Sequence, residues 1–187
     1  MLDRSGDLWV FGYGSLMWRP GFPFLEQRPA ILRGAHRSLC VYSHVHRGTP
    51  ERPGLVLGLD QGGSCRGVAF RVAAAERENV LTYLRAREQV TAVYREIIAA
   101  LRLIDSSDGE VIVPGLAYRV DRRHPQYAGQ LDRETILRLV CQGEGISGHN
   151  RDYVINTHAH LAALGIHDPV LDWLAERLIP VEMGENI

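Results

Sequence analysis

GVAFRVAAAERENVLTYLRARE, residues 67–88, changes its period midway. Gly67–Val72 is a short apolar run of strand character. From Ala73 to Glu88 the apolar residues Val80, Leu81 and Leu84 recur at helical spacing, so a helix is expected there. Two β-branched or apolar runs follow, Tyr94–Leu103 and Val111–Val120, separated by the turn sequence DSSDG, residues 105–109. That pattern predicts a hairpin with a longer loop. Upstream, Leu8–Tyr13 reads as a strand entering a glycine turn, and Ala35–Ser43 as a second strand. His46–Gly54, rich in Pro and Gly, reads as a loop. Leu55–Leu59 is expected to pair with Gly67–Val72 around a turn at Gln61–Ser64.

The last third is helical in character. Asp132 is a suitable N-cap for a helix ending near Gly143. Asn150 is a candidate cap for a helix ending at Gly165. Asp168–Pro169 places a cap before a proline at the first helical position, and Val170, Trp173, Leu174 and Leu178 follow as a stripe. These elements predict an α+β single domain: a small closed or nearly closed β-barrel, surrounding helices and a helical C-terminal portion. One domain over residues 1–187 is expected, with 1–8 a disordered leader.

Bulk properties narrow the function. The 187 residues carry a net charge of −1, with no concentrated basic cluster, which argues against nucleic acid as the main partner. Cys40, Cys65 and Cys141 are far apart and show neither a disulfide framework nor metal-ligand spacing. The N-terminal residues hold no apolar run long enough for a signal peptide or a membrane span. A cytoplasmic protein with no membrane partner is expected.

Three sets of residues could carry chemistry. In FGYGSLMW, Phe11–Trp18, two glycines flank Tyr13 and Ser15 follows. Such a turn either joins two core segments or lets a ligand approach backbone N–H groups closely. Glu88 projects from the apolar face of the expected helix. It is either paired with an arginine such as Arg85, Arg87 or Arg95, or it is an acid/base whose pKa is raised by desolvation. His44-x-His46 and His158-x-His160 lack a third ligand, and i, i+2 residues on a helix diverge, so no metal site is expected. Ser15 does not stand in the G-x-S-x-G elbow of hydrolases.

WVFGYGSLMW resembles the opening motif of the ChaC-like, glutathione-specific γ-glutamylcyclotransferases. The resemblance continues through His46–Gly54, Cys65–Phe70, the Tyr83–Glu88 segment with Tyr94-Arg95 after it, His124–Tyr127 and Ser147–Tyr153. It implies the γ-glutamylcyclotransferase-like (BtrG-like) barrel. It also implies cyclisation of the γ-glutamyl group of glutathione to 5-oxoproline, releasing cysteinylglycine, without metal or cofactor. By this resemblance Val10, Phe11, Gly12, Tyr13, Gly14 and Ser15 form the substrate loop and Glu88 is the general acid/base. Arg47 and Tyr118 are further candidates for holding substrate carboxylates, set against plain roles as a loop-bracing arginine and a strand tyrosine. One departure is Gln89–Val93, where the family usually carries glycine before the tyrosine. Two other readings stay open: a cyclotransferase for other γ-glutamyl amines or peptides, and a non-catalytic binding module.

Overall fold

The strands predicted from period and turn chemistry close into a barrel in the computed structural model, which describes residues 6–88, 92–104 and 111–179. The first of two compact units comprises Met1–Val41 and Leu57–Gly129. Its strands are β1 (Leu8–Gly12), β2 (Glu26–Ser43), β3 (Gly54–Val72), β4 (Tyr94–Leu103) and β5 (Val111–Val120), with helix α1 (Arg77–Glu88) between β3 and β4; the end of β2 from Tyr42 and the start of β3 up to Val56 fall in the second unit. The barrel order is β1-β3-β2-β4-β5. β1 runs antiparallel to β3 (Val10 opposite Phe70) and parallel to β5 (Val10 opposite Leu116), which closes the ring. Leu8, Val10, Phe11, Phe70, Val72, Leu101 and Leu116 are buried in its core. Closure gives each barrel strand a neighbour on both sides.

The expected hairpin forms with the expected bounds, from Tyr94 opposite Val120 to Leu103 opposite Val111. Its DSSDG turn lies outside the described residues. Two strand expectations need correction. The turn at Gln61–Ser64 does not divide two strands, because β3 runs unbroken from Gly54 to Val72. Gly62 and Gly63 take φ of 99° and 70°, so the chain bends without leaving the sheet, and Gly62 O bonds His36 Nδ1 on β2 at 2.9 Å. β2 begins at Glu26, nine residues before the expected Ala35. Pro29 and a left-handed Gly34 (φ 85°) hide that stretch from pattern reading. Of the leader expected over 1–8, residues 1–5 lie outside the described residues. Asp7 pairs with Arg71, and Leu8 opens β1.

The second unit comprises Tyr42–Val56 and Gln130–Ile187. It contains α2 (Arg133–Gln142), the short β6 (Glu144–Gly145) and β7 (Gly148–His149), α3 (Asn150–Ala163) and α4 (Pro169–Leu178). Asp132 caps α2 through Thr135 N, and Asp168 caps α4 through the N–H groups of Val170 and Leu171. The buried stripe of α4 is Leu171, Leu174, Ala175 and Leu178. Trp173 instead lies half-exposed beneath the Arg177 guanidinium, 4.0 Å from the ring centre.

Asn150 is not a cap; His149 occupies that position, without a side-chain bond. The Asn150 side chain is fully buried and forms a two-way bond with Leu55: Leu55 N–H donates to Oδ1 and Nδ2 donates to Leu55 O, both at 2.7 Å. An asparagine amide can replace a strand neighbour here because it carries one acceptor and two donors. Asn150→Ala would strand both Leu55 groups away from water. It is expected to lower unfolding stability by roughly 2–4 kcal/mol, read from urea denaturation.

Candidate active site

β1 ends at Gly12, and the chain turns at once into a 3-10 turn, Ser15–Met17. The turn is closed by Met17 N–H donating to Gly14 O at 2.9 Å and Arg19 N–H to Ser15 O at 2.8 Å. Gly67 on β3 allows the close approach: a Cβ there would fall 2.2 Å from Gly12 O. The glycine turn does not require positive φ in this case, since Gly12 and Gly14 are not among the left-handed glycines. Val10 and Phe11 are fully buried barrel residues, so their side chains serve the core. Tyr13 is buried, and its carbonyl accepts from Arg37 Nε at 2.6 Å. Ser15 is exposed, and its Oγ accepts from Arg87 Nη2 at 2.9 Å.

Glu88 is the last residue of α1. Val80 and Leu84 on the same face are buried, and the Glu88 side chain is only 17% exposed. Burial pushes its carboxyl above the ordinary range, and the Arg87 guanidinium beside it pulls in the opposite direction. The three arginines weighed as structural partners divide. Arg87 Nε lies 3.2 Å from Glu88 Oε1, Arg85 pairs with Glu96, and Arg95 pairs with Asp121.

Tyr118 on β5 is buried, and its hydroxyl donates to Glu96 Oε1 at 3.3 Å. Its pKa is pushed far up by burial and by the Glu96 carboxylate, with a further contribution from the Glu88 charge. Tyr118 therefore remains a neutral hydroxyl within the field of Glu88. Glu96, held by Arg85 Nε at 2.7 Å, completes this group. Sequence reading missed Glu96, though its alternation with Tyr94 on β4 puts it on the same side of the strand. Tyr94 itself donates to Leu57 O at 2.9 Å.

Arg47 belongs to the second unit. There it donates to the carbonyls of Ser147 and His149 and lies 5.5 Å from the centre of the Tyr153 ring. Those contacts are the loop-bracing role. His158 bonds Asp172, while His160 turns back to Asn156 O. No group of three or more His, Cys, Asp or Glu among the described residues is arranged to hold a metal ion. Of the Gln89–Val93 departure, residues 89–91 lie outside the described residues.

The sequence matches the family described as ChaC-like protein over residues 8–179. A glutathione-specific γ-glutamylcyclotransferase of Escherichia coli is 36% identical, aligned over 97% of this chain and 77% of its own length. Glutathione-specific γ-glutamylcyclotransferase 1 of Homo sapiens is 35% identical, over 81% of this chain and 70% of its own. The fold is that of a glutathione-specific γ-glutamyl cyclotransferase from yeast, solved by crystallography, with a TM-score of 0.80 at 21% identity over 92% of this chain and 96% of that one. The match thus runs from the first residue of β1 to the last described residue, and it takes in both the glycine turn and Glu88; the chain belongs to the ChaC-like family.

Proposed function

We propose that this protein degrades glutathione by cyclising its γ-glutamyl end. The observation that carries the reading is the desolvated carboxyl of Glu88 at the end of α1, in a chain whose ChaC-like relatives are named for this activity. The substrate's α-amine attacks its own γ-carbonyl, the lactam C–N bond forms, and the amide bond to cysteine breaks. The products are 5-oxoproline and cysteinylglycine, and no water is consumed. Such an intramolecular attack already has a high effective molarity, so the protein's work is to fold the substrate, stabilise the oxyanion and move protons.

Glu88 takes the proton from the attacking amine and returns it to the departing nitrogen. A carboxyl raised by burial is better matched to that double role than an exposed one. Backbone N–H groups of Gly12–Ser15 face the glutamyl carboxylate or the developing oxyanion. Val10 and Phe11 contribute the rigid strand that aims this turn. Tyr118, neutral throughout the working pH range, brings no negative charge of its own to a substrate carboxylate, and its one O–H turns from Glu96 to donate to it. Arg47 is kept as a brace of its own loop. The reading includes one catalytic domain, acting in the cytoplasm without metal or cofactor. The three free cysteines, Cys40, Cys65 and Cys141, suit a reducing compartment.

Purified protein incubated with glutathione should form 5-oxoproline and cysteinylglycine in equal amounts. Intact glutathione should be preferred over simple γ-glutamyl amino acids by more than about tenfold in kcat/KM, since contacts to the remote glycine end are available for use in the transition state. Equal or reversed preference would reassign the chain to other γ-glutamyl amines. No 5-oxoproline from any γ-glutamyl compound would leave a binding module.

A further inference from the structure

The end of α1 carries a second charged group, Arg87, which reaches the glycine turn. Arg87 is 24% exposed, and its guanidinium is shared among several partners. Nη2 donates to Ser15 Oγ at 2.9 Å. Nη1 reaches Arg19 O at 2.8 Å, Tyr83 OH at 3.0 Å and, more distantly, Pro20 O at 3.3 Å. Nε faces Glu88 Oε1 at 3.2 Å. One planar fork therefore touches the chain just after the glycine turn and the carboxyl of Glu88 together. Only a guanidinium has the donors to do this, because an ammonium offers three from a single point.

The packing around the fork is close. Tyr83, one helical turn before Arg87, stands against Gly21, where an added Cβ would fall 2.1 Å from the phenol oxygen. Gly21 holds φ 74°, and Phe22 meets the Tyr83 ring edge-on at 6.2 Å. Residues 15–22 are thereby pressed onto the α1 surface that carries Arg87.

We propose that Arg87 is a positioning residue, which sets the Gly12–Ser15 turn in register with the Glu88 carboxyl by holding Ser15, Arg19 and Glu88 on one guanidinium. This rests on Glu88 being the acid/base. It separates two effects that different substitutions uncouple. The hydrogen bonds to Ser15, Arg19 and Pro20 locate the substrate turn. The positive charge next to Glu88 offsets part of the upward push of burial on that carboxyl. Tyr118 from β5 also feels the Glu88 charge, and behind it Glu96 from β4 accepts from the Tyr118 hydroxyl and engages Arg85 from α1.

The test compares wild type, Arg87→Lys and Arg87→Met by kinetics with glutathione across pH. A parallel measurement follows the Glu88 carboxyl by carbon-13 NMR titration, assigned against Glu88→Gln. Arg87→Lys keeps a charge and loses the fork. Its KM should rise about tenfold or more, with the acid limb of kcat/KM little changed. Arg87→Met loses both, so KM should rise and the acid limb should also move to higher pH, with the Glu88 carboxyl titrating higher in step. The substrate's own groups are common to all three proteins, so a shift between them belongs to the enzyme. Unchanged KM and unshifted titration in both variants would overturn the inference, as would activity losses that merely track a lowered thermal midpoint. Should Arg87→Met fail to fold, the KM of Arg87→Lys decides the positioning role. Absence of 5-oxoproline from the wild-type reaction overturns the functional reading and this inference together, whereas normal wild-type turnover with indifferent variants overturns only the inference.

Discussion

Glu88→Gln should lose 5-oxoproline formation by a factor on the order of 10²–10⁴ or more while folding normally and still binding glutathione. The amide keeps the shape of the side chain and can hydrogen-bond, but it cannot accept a proton and return it. Stability should respond in the opposite sense to that of a structural ion pair. The folded-state pKa of Glu88 is raised, so its charged form opposes folding. The wild-type protein carries no such burden below the unfolded pKa. The burden grows as pH rises from there and is complete above the folded pKa. The thermal midpoint of Glu88→Gln should therefore match wild type in acid and equal or exceed it at neutral pH. A variant that is destabilised at neutral pH yet active would mean that Glu88 is a structural partner of Arg87, and the mechanism would fall.

Gly14→Val should reduce kcat/KM by a factor on the order of 10² or more with the fold intact. Gly14 is buried, yet a Cβ placed there meets only Leu57 Cδ1, at an ordinary 3.6 Å. Its φ of −134° is negative, while its ψ of −133° lies outside the usual extended and helical wells. The branched side chain thus has room beside the turn, in the space where the γ-glutamyl group is proposed to lie. Gly12 differs. A Cβ there would come within 3.1 Å of Leu16 Cβ and 3.2 Å of Met17 N, so substitution would disturb the turn itself. Circular dichroism and glutathione turnover on one Gly14→Val preparation separate the cases. Wild-type turnover in the folded variant would remove this turn from the substrate site.

Much of the fold was legible because its signals are short-range. The β4–β5 hairpin carries its register in two β-branched runs, and Asp132 and Asp168 satisfy N–H groups two or three residues away. Helical period alone places Glu88 on the buried face of α1 with Val80 and Leu84. The glycine turn and the segment ending in Glu88 likewise sufficed to indicate the family.

What the sequence left open depends on residues that meet from far apart. Nothing local to Gly62-Gly63 distinguishes a hairpin turn from a bend within one strand; pairing with β2 through His36 decides it. Asn150 has the chemistry of a cap, but Leu55, 95 positions away, takes its amide into the core. Arg85, Arg87 and Arg95 are indistinguishable as partners for Glu88 until the barrel brings Glu96 to the first and Asp121 to the third. Arg87 is then left facing both Ser15 and Glu88. Electrostatic partners are chosen by three-dimensional proximity and desolvation, which residue spacing does not encode.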